Sequence, residues 1–165
     1  MTQGLSTQLS AIASIPADYH WVRTNTTLYE GNVVFDFMTS DTKGDSTSTA
    51  AHELMLWLRY EGGQVPIGYS SGPVATINNL YGKNNWKLYQ GKNTATGITV
   101  SSLLVDPADQ YWGHFTGDVK DWLSAMVTQG LFTDSTYVNV GNAGMEPFHG
   151  TVNFVNTLNL RINLA

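Results

Sequence analysis

Carboxylate side chains are the residues of this sequence whose positions point to chemistry. Only four glutamates occur, Glu30, Glu53, Glu61 and Glu146. In the run His52-Glu53-Leu54-Met55-Leu56-Trp57-Leu58, period-two alternation places three leucines on one face of a strand and Glu53, Met55 and Trp57 on the other. The leucine face predicts core, and the opposite face suits a cleft where aromatic rings cover sugar rings and acids catalyse. An exposed strand face with one incidental acid explains the run equally well.

Asp36 is a second carboxylate in an apolar strand. In the run Val33-Val34-Phe35-Asp36-Phe37-Met38, both phenylalanines face the predicted core and Asp36 faces the other side. A carboxylate among such residues costs free energy unless it is paired. If this strand neighbours that of Glu53, Asp36 can hold a proton or a hydrogen bond against Glu53 and tune its pKa.

Glu146 is the third acid in an unusual setting. It lies in Gly144-Met145-Glu146-Pro147-Phe148, between an apolar residue and a proline at the end of a Gly/Asn-rich strand. Burial there would raise the pKa of its carboxyl, as a general acid requires. A glutamate at a strand end that is hydrogen-bonded to backbone is an equal alternative.

The elements that must position these acids are short strands in a single domain spanning residues 1–165. Sixteen glycines and abundant Thr, Asn, Ser, Val and Tyr are spread evenly, without repeat or linker, which favours a layered β domain. A C-terminal strand from Thr151 to Leu164 is the longest candidate, half-buried with one wet face. The other strand candidates run from Asn32 to Met38, His52 to Tyr60, Val74 to Asn78, Trp86 to Tyr89, Gly97 to Val105 and Tyr137 to Val140.

One segment, from Thr116 to Gln129, has helical spacing instead. Its apolar residues form one stripe at i, i+3, i+4, i+7 and i+8: Val119, Trp122, Leu123, Met126 and Val127. Thr116 is a candidate N-cap, and Gly130 follows where a left-handed residue ends a helix. The regular stripe indicates that its Trp and Met pack in the core and do not form a cofactor site.

Charge and composition exclude several classes of function. Thirteen acids and eight bases give a net charge of −5 without a run of either sign, so nucleic acid is not an expected partner. No apolar stretch reaches the roughly 18 residues that span a membrane, and the N-terminus has no signal-peptide pattern. Without cysteine there is no disulfide or thiolate site. The four histidines, His20, His52, His114 and His149, have no metal-ligand spacing, so neither a metal nor another cofactor is expected.

Taken together, these motifs resemble glycoside hydrolase family 12, the small endo-β-1,4-glucanases and xyloglucanases. The resemblance rests on the Glu53 run followed by Pro66-Ile67-Gly68 and on Asp36, seventeen positions before Glu53. Further motifs in family order are Ser14-Ile15-Pro16, Trp86-Lys87-Leu88-Tyr89-Gln90-Gly91, Gly117-Asp118 and Gly144-Met145-Glu146-Pro147-Phe148. The resemblance implies an all-β, concanavalin-like jelly roll of two curved antiparallel sheets with one helix, and a substrate in the concave cleft.

The same resemblance implies a role for each acid. Glu53 corresponds to the nucleophile, Glu146 to the general acid/base and Asp36 to the carboxylate that supports the nucleophile, with Met55, Trp57 and Pro66 as substrate-binding residues. The implied reaction is endo-acting hydrolysis of a β-1,4-glucan backbone (cellulose, β-glucan or xyloglucan) with retention, for which the two carboxyls lie about 5–5.5 Å apart. It needs no cofactor. Family likeness and the Asn25-Thr26-Thr27 sequon imply an extracellular protein.

The sequence also departs from the family pattern. Family domains begin several strands earlier, so we expect an N-terminal portion to be absent and the chain by itself to be marginally stable or to self-associate. Met145 stands where a small hydroxyl residue is usual, which can alter hydrogen bonding around Glu146. The stretch from Asp106 to His114 is longer than expected and adds Tyr111 and Trp112, whose role the sequence does not indicate.

Three interpretations therefore stay open. The first is a glucan hydrolase. The second is a truncated, non-catalytic relative that binds glucan or a proteinaceous inhibitor of its active relatives. The third is a lectin-like or adhesion β-sandwich, which the joint presence of Asp36, Glu53 and Glu146 disfavours.

Overall fold

A computed structural model describes residues 4–25 and 27–165, without the side chain of Asn25. The acceptor side chain and the middle residue of the Asn25-Thr26-Thr27 sequon therefore lie outside the described residues. The helix α1 spans Val119–Thr128. The strands are β1 (Thr7–Gln8), β2 (Ile12–Ser14), β3 (Pro16–Asn25), β4 (Glu30–Ser40), β5 (His52–Glu61), β6 (Ala75–Ile77), β7 (Trp86–Lys92), β8 (Thr99–Leu104), β9 (His114–Asp118), β10 (Tyr137–His149), β11 (Val152–Leu160) and β12 (Asn163–Leu164).

The strands form two main layers. A seven-stranded sheet has the order β1-β10-β4-β5-β8-β7-β6, and a three-stranded sheet has the order β11-β3-β9; β12 and β2 form a separate pair. Pairing is antiparallel except between β5 and β8, which run parallel. Aromatic contacts join the layers, since the Phe35 ring lies 5.7 Å from that of Tyr19 and 5.2 Å from that of Phe115. The β-sandwich with one helix that the sequence predicts is confirmed.

Alternation in β5 divides core from cleft as the sequence predicts. Leu54, Leu56 and Leu58 are fully buried in the core between the layers. Burial of a leucine side chain stabilises the fold by about 1.5–3 kcal/mol, so this face anchors the strand. Met55 and Trp57 point to the opposite face, where they form a second apolar cluster with Val34, Tyr89, Val100 and Leu104. The strand is thus apolar on both faces, and its acid lies on the smaller cluster's side.

The helix begins later than the sequence indicates. Thr116 belongs to β9 and does not cap the helix. The cap is Asp118, whose Oδ1 accepts hydrogen bonds from the amides of Lys120 (2.9 Å) and Ile15 (2.7 Å). A carboxylate satisfies exposed amides at the positive end of a helix better than a threonine hydroxyl, because its charge also opposes the helix dipole.

The core role of the helical stripe is confirmed. Val119, Trp122, Leu123 and Met126 are fully buried. Gly130 follows the helix with φ +79°, the left-handed conformation expected there. In the part of the chain that the structure describes, no helix is long and apolar enough to cross a membrane.

Two strand predictions need correction. Segment Pro16–Asn25 is a ten-residue strand that the sequence analysis did not identify, although its Pro16 stands at the first position, where a proline is tolerated. The longest strand described is β10, which has 13 residues and continues beyond the predicted Tyr137 to Val140, because its Gly/Asn-rich part pairs with β4. β11 ends at Leu160 and alternates as expected, but its inner side chains are only half-buried.

The stretch from Asp106 to His114 runs beside the end of β5 and is hydrogen-bonded to it. The Tyr111 amide donates to the Leu58 carbonyl (3.0 Å), and the Tyr60 amide donates to the Gln110 side chain (2.7 Å). Trp112 is 81% exposed, yet the Arg59 guanidinium lies 3.5 Å from the centroid of its ring. This stretch therefore supplies hydrogen-bond partners to β5 beyond the point where β8 ends.

Candidate active site

The acids singled out from the sequence lie on the sheet face opposite the core. Glu53 lies on β5 and Glu146 on β10, and β4 runs between these two strands. Met38 of β4 is paired with Glu53, and Asn32 of β4 is paired with Glu146. Asp36 belongs to the same face of β4, opposite Met55. Glu53 and Glu146 thus flank one central strand and approach each other from its two sides.

A cavity of about 190 Å³ joins the two glutamates. Its lining includes Met55, Trp57 and Pro66, the three residues proposed from the sequence to bind substrate. The remaining lining residues are Gln64, Val65, Ile67, Asn93, Val100, Ser102 and Phe148. Asp36 is not among the lining residues but lies beside Glu53, to which it is hydrogen-bonded.

Asp36 and Glu53 form a carboxyl pair that shares a proton. Burial raises the pKa of Asp36 to about 7, and the charges of Glu53 and Glu146 act in the same direction. The pKa of Glu53 is also raised, first by burial and then by the charge of Glu146, whereas the hydrogen bond from Asp36 lowers it. A hydrogen bond between two carboxyls requires one proton, and Asp36 carries it because its carboxyl is held neutral up to near pH 7. Asp36 is therefore the donor and Glu53 the acceptor of this hydrogen bond, which raises the pKa of Asp36 and lowers that of Glu53.

Asn32 holds Glu146 in place. Its side-chain Nδ2 donates to Glu146 Oε2 at 2.7 Å, and its Oδ1 accepts from the Glu146 amide at 3.2 Å. Because Asn32 is buried, these two hydrogen bonds fix the position of the half-buried Glu146 carboxyl. Met145 points the other way and packs against the main core. A hydroxyl side chain at position 145 would likewise face away from Glu146.

Two residues that line the cavity carry a buried polar side-chain atom. Within the described residues, Trp57 Nε1 and Ser102 Oγ have no hydrogen-bond partner. Such atoms are costly to bury unless something binds them, and both residues line the cavity of the two glutamates. An indole N–H and a hydroxyl are suitable partners for the hydroxyl groups of a sugar.

A larger cavity of about 590 Å³ adjoins the first, and Gln64 and Val65 line both. Its walls carry three tyrosines, Tyr60, Tyr69 and Tyr89, of which the last two have ring centroids 5.2 Å apart. Aromatic walls beside a pair of carboxylates form a groove suited to an extended chain of sugar rings.

Sequence reasoning missed Asn32 and Ser102. Asn32 could have been found, because it continues the alternation of Asp36 and Val34 on β4. Ser102 could not, since its position in the site depends on the parallel pairing of β8 with Met55 of β5. Side chains of types that can ligate a metal come together elsewhere in the described chain, at Asp18, His20 and His114.

A curved β-sandwich with two carboxylates across an aromatic groove is the architecture of a carbohydrate-active domain. Comparison with sequence families matches residues 2–164 to Glycosyl hydrolase family 12. The chain therefore belongs to this family, and the membership predicted from the sequence motifs is confirmed.

Individual relatives agree with this membership. The chain is 32% identical over 149 residues to "Xyloglucan-specific endo-beta-1,4-glucanase A" of Emericella nidulans, covering 90% of this chain and 58% of that protein. It is 31% identical over 144 residues to "Inactive glycoside hydrolase XLP1" of Phytophthora nicotianae, covering 87% and 56%. The crystal structure of Trichoderma harzianum endoglucanase 3 superimposes with a TM-score of 0.78 at 28% identity, covering 95% of this chain and 66% of that one. The chain spans little more than half the length of the two sequence relatives.

Proposed function

We propose that this protein cleaves β-1,4-glucan backbones internally with retention of configuration. The observation that carries the proposal is the placement of Glu53 and Glu146 on one cavity, with Asp36 hydrogen-bonded to Glu53. The names of xyloglucan-specific relatives support a glucan substrate. Among the candidates cellulose, β-glucan and xyloglucan, these names favour xyloglucan.

Glu53 is the proposed nucleophile. Its carboxylate attacks the anomeric carbon as the bond from that carbon to the leaving glucosyl oxygen breaks. Glu146 gives its proton to that oxygen, so the leaving chain departs as a neutral alcohol and a glycosyl ester on Glu53 remains.

Glu146 then acts as a base. It removes a proton from the water that attacks the anomeric carbon, and the ester bond to Glu53 breaks, which restores both carboxyls. Two displacements at one carbon retain its configuration. This scheme requires the two carboxyls to lie about 5–5.5 Å apart.

Asp36 is a positioning residue in this scheme. Its proton, held because the pKa is raised to about 7, orients Glu53 through the hydrogen bond between them. As Glu53 becomes an ester and loses its charge, the repulsion that raises the pKa of Asp36 weakens. Burial, the largest cause of the raised pKa, is unchanged, so Asp36 keeps the proton with which it stabilises Glu53 again when Glu53 leaves as a carboxylate.

The apolar walls bind the sugar rings. Met55, Trp57 and Pro66 line the cavity beside Glu53, and the indole N–H of Trp57 donates to a sugar hydroxyl. The substrate is a plant wall polysaccharide, so we place the protein outside the cell.

The reaction is tested by measuring reducing ends released from xyloglucan, barley β-glucan and carboxymethylcellulose. We expect release that Glu53→Gln abolishes and Glu146→Gln lowers by at least two orders of magnitude, in line with loss of acid–base catalysis. Glu30→Gln is the matched control, because Glu30 is not among the residues that line the described cavity. Turnover that survives Glu53→Gln would refute the assignment.

Retention is tested separately by proton NMR of the first product formed. A β-anomer that appears before mutarotation supports the double displacement. An initial α-anomer indicates inversion, which goes with carboxyls about 6.5–9.5 Å apart.

A second candidate function is glucan binding without turnover, or binding of a proteinaceous inhibitor of active relatives. It is favoured by the 31% identity to a relative named inactive. Calorimetry with xyloglucan oligosaccharides decides between the two. Binding by the native chain without release of reducing ends supports the second candidate.

A further inference from the structure

We propose that the outer face of the three-stranded sheet holds a transition-metal site, formed by His20 and Asp18 of β3 and His114 of β9. The three side chains bring their ligand atoms within 4.8 Å of one another. Imidazole nitrogens with a carboxylate oxygen are the donor set of zinc and related divalent ions. The site is separate from the cavity of the two glutamates.

Strand register creates the cluster. His20 and His114 are directly opposite each other in the antiparallel pair of β3 and β9, although they are far apart in sequence. Their rings stack with centroids 3.9 Å apart and planes inclined by 11°. Asp18 lies two residues before His20 and therefore on the same face of the strand. This is why sequence spacing gave no sign of a ligand set.

The three ligand atoms lie close together, and the stacked imidazole rings must turn for both Nε2 lone pairs to point at one ion. His114 Nε2 lies 2.7 Å from Asp18 Oδ1, and His20 Nε2 lies 3.2 Å from the same oxygen. A tetrahedral zinc with bonds of about 2.0–2.1 Å places neighbouring ligand atoms about 3.3 Å apart. The distance from His20 Nε2 to Asp18 Oδ1 fits this separation, and the distance from His114 Nε2 to the same oxygen must increase by about 0.6 Å. Side chains that are about half exposed can make this adjustment, since little packs against them.

The surroundings leave room for the ion. Solvent-open hollows lie on both sides, one lined by Asp18, Thr116 and Asn159 and the other by His20, Val155 and Thr157. Water can therefore complete the coordination shell. The inner neighbours of the ligands, Tyr19 and Trp21, are buried in the core and hold β3 rigid beneath the site.

A bound ion would cross-link β3 to β9. Ligands 96 residues apart, such as Asp18 and His114, have no preformed arrangement in the unfolded chain, so the ion binds the folded state and stabilises it. At a hundredfold excess over Kd we expect the Tm to rise by about 5–11 °C.

Isothermal titration of tag-free, chelator-treated protein with ZnCl₂ tests the proposal. We expect one Zn²⁺ per chain and about tenfold or greater loss of affinity in His20→Gln and in His114→Gln. His149→Gln is the matched control and should bind like the native chain, as should Glu53→Gln. MgCl₂ should give no heat, because Mg²⁺ prefers oxygen ligands.

The Tm without metal, measured for each variant, separates a lost ligand from a lost fold. Asp18→Asn, which keeps the size of the side chain, is the second probe and should also weaken binding. A Kd for Zn²⁺ weaker than about 1 mM would overturn the proposal. The proposal would also be overturned if His20→Gln and His114→Gln bound Zn²⁺ as tightly as the native chain, or if His149→Gln lost as much affinity as they do.

Discussion

Replacing Asp36 with asparagine should change how the stability of the protein depends on pH. Asparagine has nearly the same shape and can still donate a hydrogen bond to Glu53, but it cannot ionise. The substitution therefore preserves the arrangement that a protonated Asp36 makes, and removes only the cost of ionising it.

The sign follows from the pKa of Asp36, which burial raises from an ordinary value of 3.8 to about 7. Between these values the folded chain keeps a proton that the unfolded chain releases, so the free energy of unfolding falls as pH rises. The stabilisation that comes from keeping this proton on Asp36 is complete below about pH 4 and is lost above about pH 7. A pKa difference of this size corresponds to about 4 kcal/mol, and partial access of solvent to Asp36 reduces it to about 2–4 kcal/mol.

Urea titrations at pH 4, 6 and 8 measure this effect. Asp36→Asn should match the native chain at pH 4 and be more stable by about 2–4 kcal/mol at pH 8. Asp109→Asn, at an exposed aspartate, is the matched control and should show no such trend. A stability difference that is the same at pH 4 and pH 8 would refute a protonated Asp36.

Four further predictions concern packing, capping, binding and association. Leu56→Ala should lower the free energy of unfolding by about 2–5 kcal/mol in urea, and a loss below about 1 kcal/mol would contradict its full burial. Asp118→Ala, which leaves the amides of Lys120 and Ile15 without their acceptor, should cost about 1–3 kcal/mol, and an unchanged urea midpoint would rule out this cap. Trp57→Phe removes an indole N–H without a described partner, so calorimetry should show about fivefold weaker binding of xyloglucan oligosaccharides; equal affinity would exclude a hydrogen bond from the indole to glucan. Residues 1–165 produced alone should associate through the half-buried side chains of β11, seen as sedimentation that depends on concentration, whereas a monomer with a cooperative melt above about 60 °C would contradict this.

Local alternation predicted the part of the site that depends on single strands. Glu53, Met55 and Trp57 share a face because side chains alternate, and the leucines between them fill the core. The same argument placed Asp36 on one face of β4 and its neighbours Phe35 and Phe37 on the other. The catalytic roles of these acids stay predictions, since they rest on the family resemblance and on the geometry of the cavity.

Pairing between distant strands could not be predicted in this way. Asn32 binds Glu146 from 114 residues away, and only the register of β4 with β10 brings them together. The helix cap is Asp118 and not the predicted Thr116 for a similar reason, because pairing of β9 with β3 keeps Thr116 extended. Hydrophobic patterns indicate which face of a strand is buried, but they carry little information on which strand lies next to it.

The position of β3 between β9 and β11 has a consequence for biosynthesis. Both neighbours are translated much later, since Asp18 precedes its partner His114 by 96 residues. At about 5–20 residues per second, a ribosome needs about 5–20 s to reach β9, and longer to reach β11. During this time the three-stranded sheet is incomplete, so the rings of Tyr19 and Trp21 are not yet packed in the core. β3 is therefore a segment of the nascent chain on which a ribosome-associated chaperone has several seconds to act.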